Sequence, residues 1–279
     1  MNTRIGFMQG RLTSLVGSKI QAFPWDTWQE EFASAKEISM GLMEWTLDQE
    51  RLYENPIMTQ QGRDLIRNLC KQNNLSIPSL TGDCFMQAPF WKASGEESCI
   101  LQQDFLNVIK SARGVGVSML VVPLVDNGSL DNLEQEKRLL RFLQENTASF
   151  DSCGVKIIFE SDFEPTNLAR FIDHLDPDFF GINYDVGNSA SLGFDCEEEL
   201  KEFGKRILNV HIKDRFLGGT SVPLGKGNAN FNAVFEGLGK CSYNGNFILQ
   251  TSRADDGDHI SAIVKYREMV VSWMCEYGF

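Results

Sequence analysis

The sequence predicts a single α/β domain, a (β/α)8 barrel spanning residues 1–279. Eight short apolar or alternating runs are each followed by a stretch with helical periodicity, which is the pattern of parallel strands joined by helical crossovers. The chain length suits one barrel, and eight units favour closure over an open sheet. No Gly-x-Gly-x-x-Gly follows the first run, which weakens the dinucleotide-binding alternative.

The predicted strands and helices alternate along the whole chain, with no linker-like or low-complexity segment between them. The strands are predicted at residues 3–8, 41–47, 75–80, 117–124, 155–160, 179–185, 207–212 and 246–250. Asp26 and Thr59 are candidate N-caps of the first two helices, and Pro165 suits the first turn of the fifth. The other helices are predicted at residues 97–113, 133–150, 197–204, 231–238 and 259–277.

Composition narrows the class of partner. The chain is 42% hydrophobic and 23% charged, as soluble globular proteins are, and its net charge of −12 disfavours nucleic acid. No run approaches the ~20 apolar residues of a membrane span, and the N-terminus lacks the apolar region of a signal peptide. The seven cysteines contain no Cys-x-x-Cys and are typical of reduced thiols. We expect a cytoplasmic protein with neither membrane nor nucleic acid as partner.

Polar residues stand at the ends of the last four predicted barrel strands, where the active site of such a barrel lies. They are Glu160, Asp185, His211 and Gln250. Two carboxylates, an imidazole and an amide oxygen make a mixed site for one divalent metal, Mn²⁺, Mg²⁺, Co²⁺ or Zn²⁺. One acidic residue at a strand end is more often a helix cap, and His211 alone equally fits a hydrogen-bonded core histidine. Recurrence at four successive strands favours the metal site.

Several segments, taken in order, resemble the xylose-isomerase-like TIM-barrel superfamily and, within it, the sugar phosphate isomerase/epimerase branch. They are IGFMQGRL, FE, YDVGN, VHIKDR, VPLGKGNANF and FILQTSR. In that family four strand-end ligands, usually Glu, Asp, His and Glu, hold one metal that binds a sugar's carbonyl and adjacent hydroxyl. The resemblance implies that Glu160, Asp185, His211 and Gln250 are the ligands. It also implies a small-molecule sugar or sugar phosphate as substrate.

Gln250 departs from the family pattern, because an amide oxygen can coordinate a cation but cannot act as a general base. In the epimerases of the family the first and last glutamates face each other across the substrate. With Glu160 as the sole base, the sequence favours aldose–ketose isomerisation through an enediolate over two-base epimerisation. A second base from Glu44, Asp214 or Lys213 would reverse that preference.

Candidate substrate contacts lie beside the predicted ligands. They are Glu44, Asn188, Lys213, Arg215 and Arg253. Glu44 ends the second strand and is a candidate partner for a substrate hydroxyl, while Asn188 stands where many relatives carry a histidine. The three cations are candidates for holding a phosphate or carboxylate. For Lys213 and Arg215, an ion pair at the rim with Asp214 fits equally well.

Two further features each have two interpretations. The glycine-rich segment 222–231 is either a phosphate cradle built from backbone N–H groups or a simple rim loop. The apolar C-terminal end, residues 270–279, is either a homo-oligomer contact or, as we expect, ordinary helix packing.

The leading prediction is a metal-dependent isomerase or epimerase of a sugar, sugar phosphate or related hydroxy-ketone. A cyclitol or sugar dehydratase uses the same metal scaffold in relatives, and a non-catalytic sugar-binding barrel is kept open by Gln250. Apurinic endonucleases share the superfamily but use a trinuclear zinc cluster with several histidines. Three histidines and a net charge of −12 make this chain a poor candidate for that class.

Overall fold

The fold is a closed barrel of eight parallel strands, seen in a computed structural model that describes residues 4–17, 19 and 21–279. The barrel strands are β1 (Ile5–Met8), β2 (Leu42–Thr46), β3 (Ser76–Thr81), β4 (Met119–Leu124), β5 (Lys156–Ser161), β6 (Phe180–Asp185), β7 (Ile207–Ile212) and β10 (Asn246–Leu249). A two-stranded antiparallel pair, β8 (Asp214–Arg215) with β9 (Ser221–Val222), follows β7. The predicted (β/α)8 class is confirmed.

Each barrel strand pairs with the strands before and after it, and β1 closes the ring against β10. The register aligns Phe7 with Leu249 and Asp185 with His211. Parallel pairing brings all the carboxyl ends of the strands to one face of the barrel, so residues distant in sequence meet there.

Eleven helices are assigned within the part of the chain that the structure describes. They are α1 (Glu30–Glu37), α2 (Gln60–Asn73), α3 (Asp83–Gln87), α4 (Gly95–Arg113), α5 (Leu133–Glu145), α6 (Thr147–Cys153), α7 (Pro165–Asp173), α8 (Val186–Leu192), α9 (Cys196–Phe203), α10 (Phe231–Lys240) and α11 (His259–Tyr277). Single turns of 3-10 helix occur at Leu52–Glu54, Pro56–Met58, Asp126–Gly128 and Gly204–Arg206.

All eight barrel strands lie within two residues of their predicted bounds. Thr3, which the prediction included in the first strand, lies outside the described residues. Thr59 caps α2 as predicted, since its side chain accepts a hydrogen bond from the N–H of Gly62 at 3.0 Å. The prediction that Asp26 caps the first helix is wrong, because α1 begins only at Glu30.

The predicted helix 133–150 is divided at Asn146 into α5 and α6. Asn146 has non-helical backbone angles, and its side-chain amide donates to the carbonyl of Phe142 at 2.8 Å, which ends the first helix. The short helices α3 and α8, which follow β3 and β6 directly, were not predicted. Both matter for the site because they begin at its edge.

The C-terminal helix α11 packs on the barrel through its apolar face. Val270 and Met274 are fully buried, and the ring of Trp273 stacks on Phe231 with 4.5 Å between centroids. This supports helix packing for the apolar C-terminal end, while a homo-oligomer stays a prediction. Among the described residues, no helix is both long and apolar enough to span a membrane. The cytoplasmic location stays a prediction.

Candidate functional site

Three of the predicted ligands meet at the carboxyl ends of adjacent strands. Glu160 is the next-to-last residue of β5, Asp185 ends β6 and His211 lies opposite Asp185 on β7. Each offers one ligand atom, and these atoms all lie within 4.8 Å of one another. All three side chains are buried, so the loss of water must be offset by partners. Two carboxylates and an imidazole at this spacing fit a divalent metal, and the group is able to hold one.

The imidazole of His211 is held from both sides. Its Nε2 lies 2.7 Å from Oε1 of Glu44, and its Nδ1 lies 3.1 Å from Oε2 of Glu160. Burial alone would lower the pKa of His211, but the Glu44 and Glu160 carboxylates raise it to about 10. A cation at Nδ1 would require that nitrogen to be unprotonated, with the ring proton on Nε2 donated to Glu44. That is the carboxylate–histidine arrangement common around metal centres.

Glu44 lies beneath the site and is absent from the cavity wall. Its carboxylate accepts hydrogen bonds from the hydroxyls of Ser79 and Thr81, both at 2.5 Å, and from the amide of Asn209 at 2.9 Å. Burial would raise the pKa of Glu44, yet His211 and these donors hold it below its ordinary value. With no exposed surface and its oxygens already paired, Glu44 is not placed to contact a substrate hydroxyl as predicted. It positions His211 instead.

Lys213 lies between two predicted metal ligands, Asp185 and Gln250. Its Nζ donates to Oδ2 of Asp185 at 2.9 Å and to Oε1 of Gln250 at 3.1 Å. Burial would raise the pKa of Asp185, but Lys213 and His211 lower it. Lys213 is therefore paired with Asp185 rather than with Asp214, and it still lines the cavity. Gln250 as a fourth metal ligand stays a prediction.

A chain of hydrogen bonds runs from Arg215 through Asn188 to Glu160. The side-chain amide of Asn188 donates to Oε1 of Glu160 at 2.6 Å, and its carbonyl oxygen accepts from Nη1 of Arg215 at 2.8 Å. Arg215 also donates through Nε and Nη2 to the carbonyl of Gly219. Asn188 and Arg215 both line the cavity, so their predicted contact with substrate remains open to test.

Arg253 is directed away from the cavity. Its Nη1 donates to the carbonyl of Thr13 at 2.7 Å, and it is not among the residues of the cavity wall. Burial lowers its pKa, partly offset by Glu31. The structure therefore gives no support to the predicted contact between Arg253 and an anionic substrate. Arg11, from the loop after β1, lines the cavity in its place.

The glycine-rich segment 222–231 does not present a free phosphate cradle. Oδ2 of Asp214 accepts from the backbone N–H groups of Gly225 at 2.9 Å and Gly227 at 2.8 Å, and Oδ1 accepts from that of Ala229 at 3.1 Å. A Cβ on Gly227 would lie 2.2 Å from Oδ1 of Asp214, so only glycine fits there. These amides are occupied, which contradicts the cradle interpretation. Asp214, fully buried, is also unavailable as a second base.

The cavity above the three candidate ligands has a volume of about 460 Å³. Its wall includes residues that were not predicted as part of a site, among them Arg11, Gln21 and Asp83. Asp83 follows β3 by two residues, so the pattern of polar residues at strand ends extends to the first half of the barrel. Gln21 lies in the long connection after β1, and no local pattern distinguishes it.

A closed eight-stranded barrel with a carboxylate–imidazole group at the carboxyl ends of its strands defines a (β/α)8 protein able to hold a divalent metal. The chain belongs to the xylose isomerase-like TIM barrel family, whose model matches residues 32–269. The resemblance noted from the sequence is thereby confirmed.

Known relatives and neighbours share nearly the full length. L-ribulose-5-phosphate 3-epimerase UlaE of Shigella sonnei is 23% identical over 266 residues, covering 91% of this chain and 92% of UlaE. A solved L-ribulose 3-epimerase has a TM-score of 0.74 at 14% identity, over 98% of this chain and 95% of the other. The IolI protein, solved with a bound zinc atom, has a TM-score of 0.75 at 16% identity, over 98% and 99%. The two structural likenesses support the fold.

Proposed function

We propose that this protein is a divalent-metal-dependent epimerase or isomerase of a sugar or sugar phosphate, with Glu160 as base. The observation that carries the proposal is the buried group of Glu160, Asp185 and His211 under a cavity of about 460 Å³. UlaE, a relative over 91% of this chain, is named an L-ribulose-5-phosphate 3-epimerase. That name favours epimerisation at carbon 3 of a ketopentose phosphate over the aldose–ketose isomerisation that Gln250 alone suggests.

The residues divide the work between proton transfer and binding. Glu160 removes the proton from the carbon beside the substrate carbonyl, while Asn188 holds its Oε1 and His211 lies beside its Oε2. A divalent cation, when bound by Glu160, Asp185, His211 and Gln250, stabilises the negative charge of the enediolate. The native metal is proposed to be Mn²⁺, Mg²⁺, Co²⁺ or Zn²⁺.

Three basic side chains of the cavity wall support an anionic substrate, in a wall that also carries the carboxylates of Asp83, Asp126, Glu160 and Asp162. The side chains of Arg11, Lys213 and Arg215 all line the cavity. A phosphate bound there could accept charge-assisted hydrogen bonds from them. We therefore propose a phosphorylated ketose ahead of a free one. Asn188 links Arg215 to Glu160, so a phosphate bound by Arg215 would be held at a defined position relative to that base.

Exchange of solvent deuterium into substrate tests the function directly. Protein loaded separately with each of the four metals is incubated in D₂O with L-ribulose 5-phosphate and with free L-ribulose, and NMR follows deuterium at carbon 3. We expect exchange and epimerisation with the phosphate. Glu160→Gln should reduce epimerisation by roughly 10²–10⁴, the usual contribution of a positioned base. The exposed neighbour Glu164, changed to Gln, is the matched control and should leave the rate unchanged.

Three outcomes would contradict this proposal. Unchanged turnover in a folded Glu160→Gln variant would remove Glu160 as the base. Loss of water from the sugar without epimerisation would indicate a dehydratase. Metal and sugar binding without any exchange would indicate the non-catalytic barrel that Gln250 keeps open.

A further inference from the structure

Asp83 is a cavity carboxylate that the proposed function has not used. It follows β3 after Gly82 and opens the short helix α3, yet the N-terminus of that helix has no side-chain cap. The side chain of Asp83 instead lines the same cavity as Glu160, with only 8% of its surface exposed. The N-cap position of α3 is Gly82, so Asp83 is not the capping residue and its direction into the cavity needs another explanation.

A chain of amides orients Asp83 and begins at Lys213. Because the ammonium of Lys213 can only donate, Oε1 of Gln250 must face it. The amide nitrogen of Gln250 then donates to Oε1 of Gln21 at 2.9 Å. The nitrogen of Gln21 in turn donates to Oδ2 of Asp83 at 2.7 Å. The cation at one end thus fixes the direction of each bond, and Asp83 is the acceptor at the other end.

We propose that Asp83 is the second acid–base group of the site, acting on the face of the reacting carbon opposite to Glu160. The inference rests on the proposed function and deepens it, because it supplies the group that Gln250 cannot provide. Both carboxylates line one cavity: Asp83 lies two residues beyond β3, Glu160 lies on β5, and only β4 separates these two strands. Two acid–base groups permit inversion of a carbon, which one group on one face does not.

The proton transfers balance in each direction. The carboxylate of Glu160 takes the proton from the carbon beside the carbonyl, and the C–H electron pair forms the enediolate as the carbonyl pair moves to oxygen. Protonated Asp83 then gives its proton to the other face of that carbon, and the carbonyl re-forms. Glu160 is left protonated and Asp83 ionised, which is the starting state for the opposite epimer. Exchange with solvent restores the first state.

The electrostatics of Asp83 suit this role. Burial raises the pKa of Asp83 to about 7, with Asp48 and Glu160 adding to the rise and the hydrogen bond from Gln21 opposing it. An acid–base group works best when its pKa lies near the working pH, because both protonation states are then populated.

The test compares exchange from the two epimers, L-ribulose 5-phosphate and L-xylulose 5-phosphate, in D₂O. We expect Asp83→Asn to lose epimerisation by roughly 10²-fold or more. It should still exchange the carbon-3 proton of the one epimer that Glu160 deprotonates, and Glu160→Gln should exchange only the other. Asp83→Glu should recover part of the activity with a shifted pH profile. Asp151→Asn, at an exposed helical position outside the cavity, is the control.

The failures can be told apart. If wild type exchanges and epimerises while folded Asp83→Asn does so equally well, the role of Asp83 is overturned and the proposed function stands. Equal loss of exchange from both epimers in that variant would also overturn it, since Asp83 would then serve only structure or binding. If wild type exchanges neither sugar, both proposals fail. Should Asp83→Asn not fold, as judged by circular dichroism, Asp83→Ser carries the same expectations.

Discussion

Two acidic residues at neighbouring strands, Glu44 of β2 and Asp83 beyond β3, have opposite surroundings. Glu44 is fully buried and accepts hydrogen bonds from Ser79, Thr81, Asn209 and His211. Asp83 lies in the cavity wall, and its Oδ2 accepts a hydrogen bond from the side chain of Gln21. A carboxylate whose oxygens are all paired holds its neighbours in place, whereas one with oxygens left over can exchange a proton with a substrate.

The same contrast is expressed in the pKa values. Both carboxylates are desolvated, which raises the pKa of each. For Glu44 the imidazole and the hydroxyl donors overcome that effect and the pKa falls below its ordinary value. For Asp83 the neighbouring carboxylates add to it and the pKa rises to about 7. Glu44 lies within the barrel, in register with Ser79 of β3, whereas Asp83 lies beyond the end of β3 in the cavity wall. The donors available at each of these two levels decide which role the carboxylate can take.

We expect Glu44→Gln to have the largest effect on stability and metal affinity. The new amide would bring an N–H₂ group among four donors, leaving buried groups unpaired and His211 without its carboxylate. We expect a loss of roughly 3–5 kcal/mol in the free energy of unfolding, as when one partner of a buried pair is removed. Metal affinity should fall about 10–100-fold through the lost orientation of His211. Urea unfolding and calorimetric titration with Mn²⁺ or Zn²⁺ measure the two effects.

Glu164→Gln is again the matched control, since Glu164 is exposed at the same end of the barrel. Wild-type stability and wild-type metal affinity in Glu44→Gln would mean that the saturated network around Glu44 does not position His211. The fully paired surroundings of Glu44 would then not explain why its role differs from that of Asp83.

A smaller effect, dependent on pH, is expected from Asp83→Asn. A carboxyl group whose folded pKa is raised binds more protons when folded than when unfolded between about pH 4 and pH 7. Its contribution to stability is therefore lost as pH rises through that window. Wild type should become less stable relative to the variant by on the order of 2 kcal/mol between pH 4 and pH 8, allowing for water at the cavity mouth. Other buried acids titrate in both proteins and cancel in the difference. A difference that does not change with pH would show that the pKa of Asp83 is not raised in the folded protein.

The barrel could be predicted because each strand and helix has a local sequence pattern. The three candidate ligands could be predicted because the carboxyl ends of parallel strands lie at one face of the barrel. The hydrogen-bond partners of Glu44 could not be predicted, because Ser79, Thr81 and Asn209 become its neighbours only when the barrel forms. The same limit explains the glycine-rich segment: nothing local to residues 222–231 indicates that Asp214 already occupies their N–H groups. The position of Asp83, two residues after β3, could be predicted, whereas the hydrogen bond from Gln21 that orients it joins residues 62 apart in the sequence.

Gln250→Glu tests the amide chain with the smallest expected effect. The added carboxylate lies beside Lys213 and near Asp185, so it should raise affinity for Mn²⁺ by about tenfold, or ~1.4 kcal/mol, with the ammonium offsetting part of the added charge. It also removes the N–H₂ donor that faces Gln21. We expect the Gln21 amide to turn its own donor toward position 250, giving up the 3.3 Å bond that its oxygen accepts from Nη2 of Arg11. This rotation withdraws the hydrogen bond from Asp83 and raises the pKa of Asp83 further. The pH profile of epimerisation should accordingly move to higher pH on the limb that Asp83 controls. If Gln250→Glu binds metal more tightly but the pH profile of epimerisation does not move, position 250 contacts the metal and does not influence Asp83. The chain of amides would then have no effect on the pKa of Asp83.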